Sequence, residues 1–262
     1  MNLYYQVPAY SSLAADYVAS RLDTKIDQII GLNSFEAVRE SVNGKHVAVI
    51  PVENSYAGTI HVNIYNFLLY NMKIIGEYIF PINHCLLSKE KDLTDIHTVY
   101  SHPQALAQTY QYCKKHDIKQ IVHADTAAAH DVSQSNETVA AIASSKAELY
   151  KLNFIDQSIQ DQKHNQTRFI VITNEQNTLS YSEKAGKTAL LFQTKNVPAL
   201  YKSLGAFATN SIDLTKIESL PSQKDPFSYM FWIEAKGTGE DESMKKALEE
   251  LSFYTTEIRI LG

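Results

Sequence analysis

The residues able to do chemistry fall into four short words. In HVAVIPVENSYAGTI an apolar run ends at Val52, Glu53, Asn54 and Ser55 follow, and Gly58 permits a tight backbone approach. HTVYSHPQALAQ offers Ser101 as a helix N-cap and Pro103 in the first turn, where no N–H is needed, with His102 and Gln104 alongside. QIVHADTAAAH supplies Asp125 or Thr126 as a cap, and HNQTRFIVIT opens an apolar strand on Thr167, Arg168 and Phe169. Helix N-termini present free N–H groups to anions, and open α/β sheets bind ligands at the carboxyl ends of their strands. Three such words rich in Ser, Thr and Asn predict a pocket for a small polyanion. Each word alone is also how any α/β protein caps a helix, so the weight rests on their combination with the fourth. The chain prefers lysine and has four arginines, Arg21, Arg39, Arg168 and Arg259. A guanidinium at Arg168 can grip a carboxylate in two parallel hydrogen bonds, and the Thr167 hydroxyl beside it can donate to a leaving oxygen. The competing reading is an arginine neutralising an Asp or Glu at a strand end.

These words need elements to hold them. Residues 1–173 alternate β-type runs (3–5, 46–52, 73–77, 97–100, 120–123, 138–142 and 168–173) with helical patterns (11–21, 34–42, 62–70, 103–116, 127–132 and 145–150). That alternation predicts a largely parallel sheet with helices on its faces. The polar stretch from 174 to 186 reads as a linker. Beyond it the order is strand 188–193, helix 198–209, strands 214–220 and 227–235, helix 242–252 and strand 255–260, the ferredoxin-like βαββαβ pattern. The expected division is 1–175, a linker over 176–186, and 187–262.

Composition narrows the function. The chain has 262 residues, is 44% hydrophobic and 20% charged, and carries a formal net charge of −5. This is ordinary globular composition, and no basic excess points to nucleic acid or an anionic membrane surface. No apolar run approaches the roughly 20 residues of a spanning helix. The opening MNLYYQVPAYSS lacks the basic and apolar regions of a secretory leader, so a cytoplasmic location is expected. Cys85 and Cys113 match no metal spacing and are read as small buried hydrophobes. His116, His123 and His130 recur every seven residues but straddle a helix, a strand and another helix, so no metal is predicted.

PVENSYAGTI, SHPQALAQ, ADTAAA and NQTRF, in this order, resemble the site words of the prephenate dehydratase family. KIESLP stands where that family's C-terminal ACT regulatory domain has an Ile-Glu-Ser-Arg-Pro word. The resemblance covers nearly the whole chain. It implies an α/β fold with a two-lobed catalytic domain like a type II periplasmic binding protein, followed by a ferredoxin-like ACT domain. It implies conversion of prephenate to phenylpyruvate with loss of water and carbon dioxide, without cofactor, in phenylalanine biosynthesis. It further implies phenylalanine as an allosteric effector and a homodimer or homotetramer joined through ACT domains. The catalytic set it implies is Thr167, Arg168, Asn54 and Ser55. Substrate would be met by Glu53, Ser101, His102, Gln104, Thr126, Phe169 and Ser11. Thr167 would donate to the departing hydroxyl. Arg168 would hold a carboxylate or brace the cleft, Glu53 would order the loop or act electrostatically, and His102 stays open between substrate contact and packing or capping. Asn196, Ala199, Leu200, Glu218 and Ser219 would meet the effector.

Three departures stand out. YYQVPAYSS keeps Ala9, Tyr10 and Ser11 but lacks the glycine turn of the family, and Pro8 cannot reproduce it. Pro198 stands where a Gly-Ala-Leu word begins, and Leu220 replaces an arginine, so phenylalanine binding is expected to weaken. Two alternatives remain at this point: the same elimination on arogenate, and a non-catalytic sensor of a small acid.

Overall fold

The computed structural model describes residues 1–6, 10–22, 24–42, 44–123, 128–144, 151–174, 186–196, 198–222 and 228–262. The alternating pattern of residues 1–174 builds two α/β lobes. The first takes β1 (Asn2–Gln6), α1 (Tyr10–Ala19), β2 (Gln28–Leu32), α2 (Phe35–Ser41), β3 (Val47–Asn54), β4 (Gly58–Thr59), α3 (His61–Leu69) and β5 (Met72–Pro81). The chain then crosses to the second lobe: β6 (Cys85–Ser88), β7 (Thr98–Ser101), α4 (Pro103–Gln108), α5 (Tyr110–Lys115), β8 (Lys119–Val122), α6 (Ala128–Gln134), β9 (Ala140–Ala143) and β10 (Asn153–Gln157). It returns as β11 (Gln166–Asn174), which inserts between β3 and β5 in the order β2-β1-β3-β11-β5, with β4 on β3. The second sheet runs β10-β6-β9-β7-β8.

Neither sheet is largely parallel. β1 pairs in parallel with β2 and β3, and β7 with β8 and β9. β11 is antiparallel to both its neighbours, and β6 to both of its own. The double crossing is the cause, because a strand returning from the other lobe enters the sheet against the direction of β3. The expected helix 103–116 is also broken, at Thr109. The Thr109 hydroxyl donates back to the Ala105 carbonyl at 2.8 Å, and the freed N–H groups of Gln111 and Tyr112 go to the Asp161 carboxylate. Strands β2, β4, β6 and β10 had no clear sequence signal. The expected helix 145–150 and linker residues 175–185 lie outside the described residues.

The last third forms β12 (Lys187–Thr194), α7 (Ala199–Thr209), β13 (Leu214–Pro221), β14 (Tyr229–Lys236), α8 (Glu242–Ser252) and β15 (Thr255–Ile260), an antiparallel sheet ordered β13-β14-β12-β15. Its inner strands β12 and β14 read as near-continuous apolar runs because both faces are covered. Leu190, Phe192 and Ile233 pack with Phe207, Met244 and Leu251 of the two helices. The alternate residues Leu191, Leu220, Met230 and Trp232 pack onto Ile50, Phe67, Met72 and Ile170 of the first lobe. Trp232 meets Phe67 edge-on, with ring centroids 5.2 Å apart. Arg259 donates to the carbonyls of Phe67 and Tyr70 at the end of α3. Trp232→Ala is expected to cost about 3–5 kcal/mol by opening a cavity in this shared core, read as a fall in thermal or denaturant stability.

Candidate active site

Neighbouring residues at the start of β11 serve opposite sides of the first sheet. Thr167 and Phe169 line a cavity of about 170 Å³ between the lobes. Tyr10 and Ser11 from the first turn of α1 join them, with Pro51 and Asn54 from β3. The facing wall is His84, from the crossing between β5 and β6, and His102, Gln104, Ala105 and Gln108 around α4. Two helix N-termini, one per lobe, thus open on one cavity. Phe169 is buried beneath it, and Thr167 is 9% exposed.

Asn54 organises the wall. Its Oδ1 accepts the N–H groups of Tyr56 (3.0 Å) and Ala57 (2.9 Å), which fixes which end of the amide is which. Its Nδ2 then donates to Thr167 Oγ1 (3.0 Å), Asn165 Oδ1 (2.8 Å) and the Gln166 carbonyl (3.0 Å). Thr167 Oγ1 is therefore an acceptor from Asn54, and its own proton is left to point elsewhere. Gly58, at φ +81°, closes the β3–β4 hairpin that presents Asn54. Burial holds the His84 imidazole below its ordinary 6.5, against a smaller upward pull from its bond to Gln108, so the ring is neutral at pH 7. Burial, with the Cys85 thiol as a lesser cause, pushes the Tyr10 hydroxyl well above 10.0.

Arg168 is not in this cavity. It points to the other side of the sheet, toward a second cavity of about 230 Å³ shared with the C-terminal sheet. There its guanidinium grips both oxygens of Glu234 on β14 at 2.7 Å, Glu77 at 3.1 Å and Glu53 at 3.0 Å. Burial would pull the guanidinium pKa down, and the bonds to Glu234 and Glu77 more than reverse that. The geometry thus favours the strand-end neutralisation weighed above and removes Arg168 from contact with a ligand in the first cavity. Glu53 follows it, pairing with Arg168 and with Lys216 of β13 at 3.2 Å. Burial raises the Glu77 carboxyl, but its bonds to Lys187 and Arg168 win, so it lies below its ordinary 4.5. A depressed carboxyl stabilises the fold above its unfolded value, and that contribution is lost as pH falls through the folded one. Glu77→Gln should therefore lower stability at pH 7 and flatten its decline below about pH 4.5 in acid titrations followed by circular dichroism.

Two further expected contacts, Ser55 and Ser101, make structural bonds. Ser55 holds the β3 turn to β11, its Oγ donating to the His164 carbonyl and accepting from the Gln166 N–H. Ser101 does not cap α4. Its fully buried hydroxyl donates to the Ile142 carbonyl at 2.6 Å and ties β7 to β9. His102 is the cap, its Nδ1 accepting the Gln104 N–H at 3.2 Å, and it also lines the cavity. Thr126 and Asp125 lie outside the described residues.

The expected effector residues divide between two places. Asn196 precedes α7, its Oδ1 accepting the Ala199 N–H, with Ala199 buried and Leu200 packed on the C-terminal core. Glu218 instead faces the first lobe, accepting from Thr59 Oγ1 at 2.5 Å and pairing with Lys216 at 3.3 Å. Ser219 beside it is exposed.

The sequence reading missed Tyr10, His84, Gln108 and Asn165 as site residues. Gln108 closes the SHPQALAQ word, Asn165 opens NQTRF and Tyr10 adjoins Ser11, so proximity to a motif was the available signal. His84 had none. Among the described residues, no group of three or more His, Cys, Asp or Glu could hold a metal ion. No described helix is long and apolar enough to cross a membrane.

A family model described as prephenate dehydratase matches residues 7–177. The chain belongs to the prephenate dehydratase family. It is 37% identical to the prephenate dehydratase of Methanocaldococcus jannaschii, over 94% of this chain and 89% of that one. It is 38% identical to a bifunctional chorismate mutase/prephenate dehydratase of Aquifex aeolicus over 82% of this chain, and spans 59% of that longer protein. Among solved structures it is similar to the prephenate dehydratase of Staphylococcus aureus (27% identity, TM-score 0.84, covering 100% and 99% of the two chains). It is also similar to GqqA, described as a quorum quenching acylase (30% identity, TM-score 0.86, covering 100% and 97%).

Proposed function

We propose that the interlobe cavity converts prephenate to phenylpyruvate, water and carbon dioxide. The observation that carries this is the Thr167 hydroxyl, held as an acceptor by Asn54 on the wall of a cavity onto which two helix N-termini open. Prephenate is a dianion, and N–H groups at the start of α1, with the Ser11 hydroxyl and the side-chain amide of Gln104 at the start of α4, are suited to its carboxylates. The Thr167 proton is directed at the departing ring hydroxyl. Asn54's N–H on the threonine oxygen strengthens that donation by stabilising negative charge developing there. The C–O bond breaks as the ring carboxylate leaves as carbon dioxide, its bonding pair completing the aromatic ring. The leaving hydroxyl takes up a proton and departs as water. Aromatisation supplies much of the driving force, and the protein's share is orientation and a preorganised donor. Threonine is a weak acid, so position rather than acidity is its contribution.

Acyl transfer of the kind named for GqqA finds less support here. The cavity's histidines are engaged by Tyr10 and Gln108 (His84) and by the Gln104 N–H (His102), rather than by a serine nucleophile. Arogenate differs from prephenate by an ammonium in place of a keto group. Among the described residues, the acids Glu53 and Glu77 on the strands beside the cavity point to the other side of the sheet, which supports prephenate as the better substrate.

The C-terminal domain reads as an ACT domain that senses phenylalanine, in a homodimer or homotetramer of a cytoplasmic enzyme. Leu220, at the position of the family word's arginine, is buried in the core shared with the first lobe. The effector site then lacks that cation, and inhibition by phenylalanine should be weak. Initial rates on prephenate and arogenate, with and without phenylalanine, test the proposal. Faster turnover of prephenate with weak inhibition is expected. Faster turnover of arogenate would overturn the substrate, and half-inhibition at low micromolar phenylalanine would overturn the regulatory reading.

A further inference from the structure

His84 occupies the crossing between the lobes, with 3% of its surface exposed. Its main chain ties the outgoing and returning crossings together: its N–H donates to Gln160 Oε1 at 3.0 Å and its carbonyl accepts the Ile159 N–H at 3.1 Å. Its ring bridges the lobes, with Nδ1 3.1 Å from the Tyr10 hydroxyl and Nε2 2.8 Å from Gln108 Oε1. The direction of every bond from there to Thr167 follows from one fixed point. The backbone N–H groups of Tyr56 and Ala57 make Asn54 Oδ1 the acceptor, so Nδ2 donates to Thr167 and to Asn165 Oδ1. Asn165 Nδ2 must then donate to Gln108 Oε1, at 2.9 Å. An oxygen already facing one donor can meet His84 Nε2 only if that nitrogen carries a hydrogen.

We propose that His84 is a positioning residue for the elimination: as the Nε2–H tautomer it locks Gln108, and through Asn165 and Asn54 it aims the Thr167 hydroxyl into the cavity. The inference rests on the proposed reaction but adds a residue outside the motif words. Without the Nε2–H, Gln108 keeps its orientation through Asn165 Nδ2 on its Oε1 and its own Nε2 on Asn54 Oδ1 at 3.5 Å, but it loses its 2.8 Å anchor to the crossing. The amides that square Asn54 to Thr167 are then held less tightly from the second lobe. On the Nδ1 side the Tyr10 hydroxyl has one proton and two acceptors in reach, bare Nδ1 at 3.1 Å and the Asn83 carbonyl at 2.8 Å, so the tyrosine steadies the ring without setting its Nε2 proton.

Two measurements on the full chain test this. Long-range ¹H–¹⁵N spectra of the wild-type imidazoles should show His84 neutral at pH 7 with its hydrogen on Nε2. A neutral Nδ1–H form would overturn the proposal, and this readout stands whether or not the protein turns over prephenate. Kinetics supply the second. His84→Leu, similar in bulk and without a donor, should lower kcat by about 10–100-fold, the range seen when an outer hydrogen-bond partner of a site ligand is removed, with a smaller change in KM. His84→Gln, whose amide can put a donor near the lost Nε2, should recover much of that loss. Wild-type kcat in a folded His84→Leu protein, or His84→Gln no better than His84→Leu, would overturn the relay. An inactive wild type would instead remove the proposed reaction and leave the tautomer to be judged by the spectra.

Discussion

Thr167→Ala should lower kcat on prephenate by about 10²–10³-fold, the cost of removing one preorganised donor from a developing charge. The fold should survive, because the side chain is small and its one resolved bond comes from Asn54, which keeps Asn165, the Gln166 carbonyl and two backbone N–H partners. KM should move less than kcat, since a donor to the leaving hydroxyl gains strength only as the C–O bond breaks. Thr167→Ser keeps the hydroxyl and loses the methyl group that restricts its rotamers. It should retain most of the activity. Steady-state rates with circular dichroism of each variant decide the matter. An alanine variant with a raised KM and an unchanged kcat would make Thr167 a binding residue.

The second large effect concerns the residue after it. Arg168→Met should destabilise the protein by about 3–5 kcal/mol, the usual consequence of removing one partner from a buried ion pair. Glu234 has a side chain only 5% exposed and would keep Lys187, 4.0 Å away, as its remaining cation. For a chain of this size that corresponds to a fall in thermal midpoint of about 10 °C, from roughly 2–4 °C per kcal/mol. Adding Glu234→Gln should recover part of the loss, because the stranded charge is then gone, although Trp232 Nε1 also donates to Glu234 at 3.1 Å and needs an acceptor there. Differential scanning calorimetry of the two single variants and the double variant measures this coupling. A chain with Arg168→Met that keeps its thermal midpoint but loses affinity for prephenate would restore the arginine to the substrate.

The difference between these neighbours shows what a sequence conveys. NQTRF marks a functional strand start, and both residues matter. Strand alternation sends Thr167 and Arg168 to opposite faces, but the partner of each face depends on elements far away in the chain. Glu53, Glu77 and Glu234 reach Arg168 from three different strands, and no local pattern joins them. The βαββαβ order of the last third was legible because its strands and helices are long and locally periodic. The mixed sheets were not, because strand direction here follows from a chain that crosses between lobes twice. Strands such as Cys85–Ser88 are four residues long and read no differently from loop. Ser101 looked like a cap since Ser commonly is one, and a buried carbonyl at Ile142 claimed its hydroxyl instead. His84 was invisible for a related reason, since its importance lies in two side chains brought to it from separate helices.

The central claim is that the cavity beside Thr167 eliminates water and carbon dioxide from prephenate. Its most direct test is to incubate the purified chain with prephenate and follow phenylpyruvate by its absorbance in alkali, with the Thr167→Ala chain alongside. Phenylpyruvate formed at a rate proportional to wild-type protein, and falling by orders of magnitude in the variant, is the expected result. Prephenate recovered unchanged from the folded wild type would contradict the claim.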